Sequence, residues 1–82
     1  MYIHVGGEKI VRTSEIVAIF DVTIESSSKL SKQFVTGAKA QKRIEEIGEE
    51  EPKSIVVTTN KVIYSPISSA TLKKRAHHFA AL

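Results

Sequence analysis

The segment KKRAHH at residues 73–78 brings three basic side chains and two histidines together near the end of the sequence. A helical metal site needs ligands at i,i+3 or i,i+4, whereas His77 and His78 are neighbours about 100° apart on a helix. No aspartate or glutamate occurs between Lys53 and Leu82 to complete a ligand set. The spacing therefore disfavours a metal site and leaves two interpretations open, a polyanion-binding face and a solvated helix face.

No other group of residues has the spacing of a catalytic site. Gly6-Gly7 is not followed by a helix that could present its amides to a phosphate. The glutamates of residues 45–51 are more typical of a solvated segment than of a paired acid and base. Cysteine is absent, which excludes disulfides and thiolate metal sites. We therefore expect no enzymatic activity, no cofactor and no small-molecule substrate.

Charge is segregated along the 82 residues, although the net charge is only +3. Residues 29–44 carry +5 and residues 53–82 carry another +5, and residues 45–51 carry −5 between them. Blocks of one sign suit a polyanion or an oppositely charged neighbour. The residues that we predict to contact a polyanion come mainly from the two basic blocks; they are Arg12, Lys32, Lys39, Arg43, Lys53, Lys73, Lys74 and Arg75.

Four or five strands are predicted around these cations. Residues 2–5 and 9–12 flank Gly6-Gly7-Glu8, where two glycines favour a tight hairpin. The run EIVAIFDVT, residues 15–23, is apolar enough for a strand that is buried on both faces. Residues 54–58 and 62–65 predict a second hairpin, with Asn60 tolerating a left-handed conformation in the turn.

Two helices are also predicted. The first runs from Ser28, which can cap it, to about residue 47, and Gly48 can end it. Its predicted core stripe follows steps of three and four and contains Leu30, Phe34, Ala38, Gln41 and Ile44. The second covers residues 68–82, with Ser68 as its cap and with Ile67 and Leu72 as a hydrophobic staple.

The element order ββ(β)αββα predicts one α+β domain, residues 1–82, made of two β-hairpin-plus-helix halves. A domain of this length buries a modest fraction of its surface, so we expect a homo-oligomer to supply more burial. Candidate contacts in the sheet are Ile16, Ile19, Phe20, Ile55 and Val57. With no leader and no apolar run near 18 residues, a soluble, cytoplasmic protein with no membrane partner is expected.

The strings MYIHVGGEKIVRTSEIVAIFD, PKSIVVTT and VIYSPISSATLKKRA closely resemble the small Rem family of Gram-positive bacteria, and the RemB branch most. These are the extracellular-matrix regulatory proteins RemA and RemB, and the resemblance is weak over residues 24–52. It implies a transcriptional regulator of extracellular-matrix and biofilm genes that binds DNA without a helix-turn-helix. It also implies a closed ring of identical subunits with DNA against a basic rim.

The sequence departs from the RemA branch where that branch carries arginines. Glu15 stands where an arginine follows the first hairpin, and Glu50-Glu51-Pro52-Lys53 replaces consecutive arginines before the SIVVT-like strand. The resemblance therefore implies DNA binding through other cations. The alternative is an assembly or adaptor module that does not bind DNA, in which the acids of residues 49–51 pair with cations of a neighbouring subunit.

Overall fold

The computed structural model describes residues 1–23 and 29–80, except for the side chains of residues 31 and 77–80. The described part is a small α+β fold, as predicted. Its elements, in chain order, are β1 (Tyr2–Gly6), β2 (Lys9–Arg12), a 3₁₀ turn (Thr13–Glu15), β3 (Ile16–Asp21), α1 (Lys29–Gln41), β4 (Arg43–Glu46), β5 (Ser54–Thr58), β6 (Lys61–Ser65) and α2 (Ser69–Ala80).

The strands form two sheets. β1 and β2 make an antiparallel ribbon, and the other four strands make a sheet in the order β3-β5-β6-β4. β5 is antiparallel to both of its neighbours, whereas β4 runs parallel to β6. The ribbon and α2 pack on one face of the four-stranded sheet and α1 packs on the other.

Alternate residues of β5 and β6 supply the two cores. Val56 and Ile63 point towards the ribbon and α2, where they meet Val5 and Leu72. The neighbouring positions of both strands point towards α1 and pack against Val35. All of β5 is buried because a central strand covered on both faces has no solvent side.

The predicted first hairpin is confirmed. Gly6 and Gly7 have φ of +122° and +55°, a region that side chains disfavour. A Cβ at Gly6 would lie 2.9 Å from Cδ of Pro66, so this position also needs glycine for close approach to the β6–α2 connection. The Ser65 hydroxyl donates to the carbonyl of Val5 and joins the ribbon to the sheet.

The predicted second hairpin forms, but its turn does not use the left-handed Asn60 that was expected. No residue other than glycine has a positive φ within residues 1–23 and 29–80, so Asn60 is not left-handed. The Thr58 hydroxyl instead accepts from the amides of Asn60 at 3.4 Å and Lys61 at 2.9 Å. This side chain supplies the local bonds that hold the turn.

The predicted helix over residues 28–47 is wrong at its end. α1 stops at Gln41, and residues 43–46 form β4 instead. The edge of β6 offers backbone hydrogen bonds to this segment, and those bonds override a helical periodicity that has little burial behind it. Gly48, with φ of +67°, follows a strand and not a helix, and Ser28 lies outside the described residues.

The predicted core stripe of α1 is also displaced. Val35 is 1% exposed and Ala38 packs with it, whereas Leu30 is 79% exposed. Phe34 remains 45% exposed. Its ring packs against that of Phe20, with the ring centroids 5.7 Å apart. The helix is therefore rotated by about one position, since Val35 and not Phe34 faces β5 and β6.

The two β-hairpin-plus-helix halves predicted from the element order do not form separate units, because the four-stranded sheet contains strands from both. β3 leaves the ribbon and joins the sheet beside β5, and Glu15 lies in the 3₁₀ turn before it. β3 is an edge strand with Val17 exposed, and so it is not buried on both faces. The prediction was wrong on this point because a run of β-branched residues favours a strand but does not determine whether that strand is central or at an edge.

The start of α2 follows the sequence prediction. The Ser68 hydroxyl accepts from the Thr71 amide at 3.2 Å, and Ile67 packs in the same cluster as the fully buried Leu72. This is the predicted cap with its hydrophobic staple. Neither helix, over the residues described, is long and apolar enough to cross a membrane.

Candidate nucleic-acid interface

Three of the predicted DNA-contact residues project from α2. Lys73, Lys74 and Arg75 are exposed, whereas the preceding Leu72 is fully buried. The Arg75 guanidinium donates to the carbonyl of His4 at 2.9 Å, which joins α2 to β1. The side chains of residues 77 and 78 lie outside the described part. Over the described part of α2, the cations therefore lie on the solvent-facing side and Leu72 on the side that packs against the core.

Lys73 also lies within electrostatic reach of Asp21 at the end of β3. The pKa of Asp21 is lowered chiefly because its carboxylate accepts from the Thr23 amide at 2.9 Å and from the Thr23 hydroxyl, and Lys73 adds to this. The contribution of Lys73 is the smallest of these causes. Lys73 therefore adds only a weak attraction to the hydrogen bonds that Thr23 makes with Asp21.

The predicted cations on α1 belong to the opposite side of the molecule. Lys32 is exposed, and the Lys39 ammonium lies 5.1 Å from the centre of the Tyr64 ring. α1 covers one face of the sheet and α2 the other. One chain therefore does not unite all eight predicted residues in a single surface.

Arg12 of the ribbon and Arg43 of β4 lie near the end of the four-stranded sheet where β4 and β6 begin. Arg43 is opposite Lys61 in the parallel register, which directs the two side chains to the same face. Arg12 donates to the Tyr2 hydroxyl at 3.2 Å, with its guanidinium carbon 5.7 Å from the ring centre. This hydrogen bond is the main cause of the raised pKa of Arg12.

Two further cations at this end were missed by the sequence analysis. Glu45 bridges Lys9 and Lys61, with one carboxylate oxygen 2.9 Å from the first ammonium and the other 3.0 Å from the second. The bond to Lys9 is the largest cause of the lowered pKa of Glu45, followed by the bond to Lys61. The same bond to Glu45 raises the pKa of Lys9. We call these three residues the Glu45 bridge.

The sequence offered no signal for the Glu45 bridge. Its members come from β2, β4 and β6, which meet only after the ribbon has packed on the sheet. The predicted helix over residues 28–47 would not have brought Glu45 between the two lysines, whereas β4 does. Long-range pairing decides this site.

A cleft of about 300 Å³ opens between the ribbon and the β5–β6 turn. Lys9, Arg12 and Lys61 contribute positive charge to its lining, and Glu15 contributes the negative charge. The cleft is nevertheless cationic in sum and lies beside Arg43.

The opposite end of the sheet is acidic. Glu46 and the exposed glutamates of residues 49–51 line a second cleft of about 440 Å³ with Tyr64 and Pro52. Lys53 is exposed and directly follows this loop. The chain therefore carries cations where β4 and β6 begin and carboxylates where β4 ends.

Two of the predicted contacts between subunits are misplaced. Ile55 and Val57 are fully buried in the single chain, and Ile16, Ile19 and Phe20 already pack against its cores. β5 is covered on both sides, so it has no surface left for a neighbour. Among the residues whose side chains the structure describes, the large apolar ones that remain exposed are Met1, Tyr2, Ile10, Val17, Leu30, Phe34 and Ile44.

Known proteins resemble this chain over most of the elements just described. A family model described as RemA-like, extracellular matrix regulatory protein A-like, matches residues 2–76. Extracellular matrix regulatory protein B of Bacillus subtilis (strain 168) is 43% identical over 76 residues, which cover 93% of this chain and 90% of that protein. The resemblance to the Rem family, close to RemB, is thereby confirmed. The chain belongs to the RemA-like family of extracellular matrix regulatory proteins.

Proposed function

We propose that this protein regulates extracellular-matrix genes in the cytoplasm by binding DNA as a homo-oligomer. The observation that supports DNA binding most directly is the outer face of α2. Lys73 and Lys74 are exposed there without being turned towards the core, and Leu72 fixes the helix beneath them. Such lysines are suited to phosphate oxygens because flexible cations need no base-specific geometry.

Backbone contacts, and not base contacts, suit the distribution of the cations. They are spread over both faces of the sheet and over several elements, and they are not gathered on one helix that could enter a groove. Binding of this kind releases counterions, so its affinity falls steeply as salt rises.

The positions of the two helices favour the oligomeric part of this proposal. Because α1 and α2 lie on opposite faces of the sheet, one subunit presents only part of the predicted contact set to a given duplex. Repetition of the subunit around a ring would place the same basic face repeatedly along bent DNA. The exposed apolar side chains of β3, β4 and α1 are available for the contacts between subunits.

The test is a gel shift with a mixed-sequence duplex at about 50 mM and about 200 mM salt. Lys73→Ala/Lys74→Ala should weaken binding and reduce the slope of log affinity against log salt by roughly one per lysine. The control is Lys29→Ala, which removes one exposed helical lysine outside the predicted set. It is compared with the single variants Lys73→Ala and Lys74→Ala. An unchanged slope in the double variant would contradict the proposal.

The alternative function, an adaptor that binds protein and not DNA, is favoured by the exposed acidic loop. The triple variant Glu49→Gln/Glu50→Gln/Glu51→Gln should then lower the native mass of the assembly, because the loop loses its cationic partner. If the DNA-binding proposal is correct, this variant should keep or tighten DNA binding, since it removes repulsion from the phosphates.

A further inference from the structure

The cleft beside the Glu45 bridge has features that the DNA-binding proposal does not use. It lies between the ribbon and the β5–β6 turn, has a volume of about 300 Å³, and is lined by Tyr2, Lys9, Arg12, Glu15, Asn60 and Lys61. It is thus a concave site with charged, hydrogen-bonding and aromatic groups close together. Concave sites with a few convergent polar groups are where proteins usually bind small ligands.

The Glu45 bridge shows that Lys9 and Lys61 can hold one anion between them. Each ammonium takes a different oxygen of the carboxylate, at 2.9 and 3.0 Å. The lysine side chains retain 34% and 27% of their exposure, so a solute can reach them from the cleft. Glu45 therefore occupies, from within the chain, a position suited to an anionic oxygen pair.

Charge decides which anion could take the place of that carboxylate. Glu45 contributes one negative charge against Lys9, Lys61 and the nearby Arg43, whose repulsion acts on Lys9. A terminal phosphate carries about −1.5 to −2 at neutral pH and has three acceptor oxygens. A DNA backbone phosphodiester carries a single charge, no more than the carboxylate that it would have to replace. The site therefore favours a terminal phosphate over a backbone phosphate.

The rest of the cleft indicates what the phosphate is attached to. Glu15 contributes carboxylate oxygens to the lining, and these acceptors suit hydroxyl or amino donors and not a second anion. The Tyr2 ring, half exposed beside the Arg12 guanidinium, offers a face for stacking. A phosphate, a hydroxylated linker and a planar ring are the parts of a nucleotide.

We propose that this cleft binds a small phosphomonoester of nucleotide size, and that Glu45 is an internal competitor which releases Lys9 and Lys61 to the terminal phosphate. The ligand lies between the ribbon and the sheet, so its arrival rearranges the ion pairs that join them. This site is separate from the α2 lysines, and the proposal does not depend on DNA binding.

The experiment titrates the full chain, followed by amide NMR shifts, with inorganic phosphate, adenosine 5′-monophosphate and adenylyl-adenosine, which has only an internal phosphodiester. The monophosphate should bind at least about tenfold more tightly than either of the others. Glu45→Gln should tighten monophosphate binding several-fold, because the amide no longer competes for the lysines. Lys61→Gln should abolish it, and Lys74→Gln on α2 is the matched control that should leave it unchanged.

Folding of each variant is checked by far-ultraviolet circular dichroism, and Arg12→Gln replaces Lys61→Gln if that variant does not fold. Equal affinity for the monophosphate and adenylyl-adenosine, or an unaltered affinity in Glu45→Gln, would overturn the proposal. Competition of a DNA duplex for the cleft that requires Lys9 and Lys61 would also overturn it, because the site would then be a backbone-phosphate site. Loss of DNA retention in Lys73→Ala/Lys74→Ala tests the proposed function alone, since monophosphate binding does not involve those lysines.

Discussion

Single residues in this chain acquire their roles from partners far away in the sequence, and Glu45 is the clearest case. In sequence it is one of five acids between two basic blocks. In the structure it joins β4 to β2 and β6 through Lys9 and Lys61. Because both lysines remain partly exposed, the bridge is a surface ion-pair network that links the ribbon to the sheet, and not a buried ion pair.

The Glu45 bridge predicts a defined pH dependence of stability. The folded-state pKa of Glu45 is lowered, so its contribution is fully present above the ordinary glutamate value of about 4.5 and is lost as pH falls through the lowered value. The difference in unfolding free energy between the wild type and Glu45→Gln should therefore be largest near neutral pH and vanish in acid. Denaturant unfolding at a series of pH values measures it. Glu49→Gln, in the exposed loop, should show no such difference, and a gap that persists in acid would contradict the assignment.

Glycines at two positions provide a second prediction. Gly6→Ala should destabilise the fold by more than about 1 kcal/mol, because its φ is positive and the added Cβ would meet Pro66 at 2.9 Å. Gly37→Ala is the matched control, since it lies within α1 with nothing within 4 Å of the added Cβ. It should stabilise by about 0.5–1 kcal/mol through helix propensity. Equal effects of the two substitutions in thermal unfolding would contradict this account.

At the scale of elements, α2 separates packing from charge along one short segment. Leu72 is fully buried in the cluster that joins the ribbon to the sheet, and the basic residues that follow are exposed. The helix can therefore present cations without depending on them for its position. The exception is Arg75, whose guanidinium donates to the carbonyl of His4.

This division predicts how α2 responds to substitution. Leu72→Ala should lower the unfolding free energy by about 2–5 kcal/mol because it leaves a cavity between α2 and the sheet. Lys73→Ala/Lys74→Ala should change it by less than about 0.5 kcal/mol, as expected for surface positions. Chemical denaturation of both variants measures the two values. A large loss in the lysine double variant would mean that those side chains belong to an interface and not to a free surface.

At the scale of the whole molecule, the chain leaves apolar surface on both edges of its sheet and on α1. Val17 on β3 and Ile44 on β4 are exposed, as is Leu30 on α1. A domain of 82 residues has little core to spare, so burial of these residues between subunits is energetically favourable.

We therefore expect light scattering to give a mass of several chains at micromolar concentration. Leu30→Ser should shift the assembly towards smaller species without lowering the unfolding free energy of a chain, because the side chain is outside both cores. Ala40→Ser, at another exposed position of α1, controls for the added hydroxyl. A wild-type mass of one chain would contradict the homo-oligomer.

The sequence by itself determined the features that depend on neighbours along the chain. The paired glycines of the ribbon, the Ser68 cap, the β-branched runs of β5 and β6 and the family all follow from local residue types and order. These signals are reliable because the backbone requirement and the residue that meets it lie within a few positions.

Only the tertiary structure decided the end of α1, the face that it buries and the surroundings of Glu45. Residues 43–46 fit a helical period as well as a strand, and pairing with β6 selected the strand. Val35, and not Phe34, faces the core because the sheet beneath α1 sets its rotation. The cleft exists because the ribbon folds back over the β5–β6 turn, and such contacts between distant segments leave no periodic trace in the sequence.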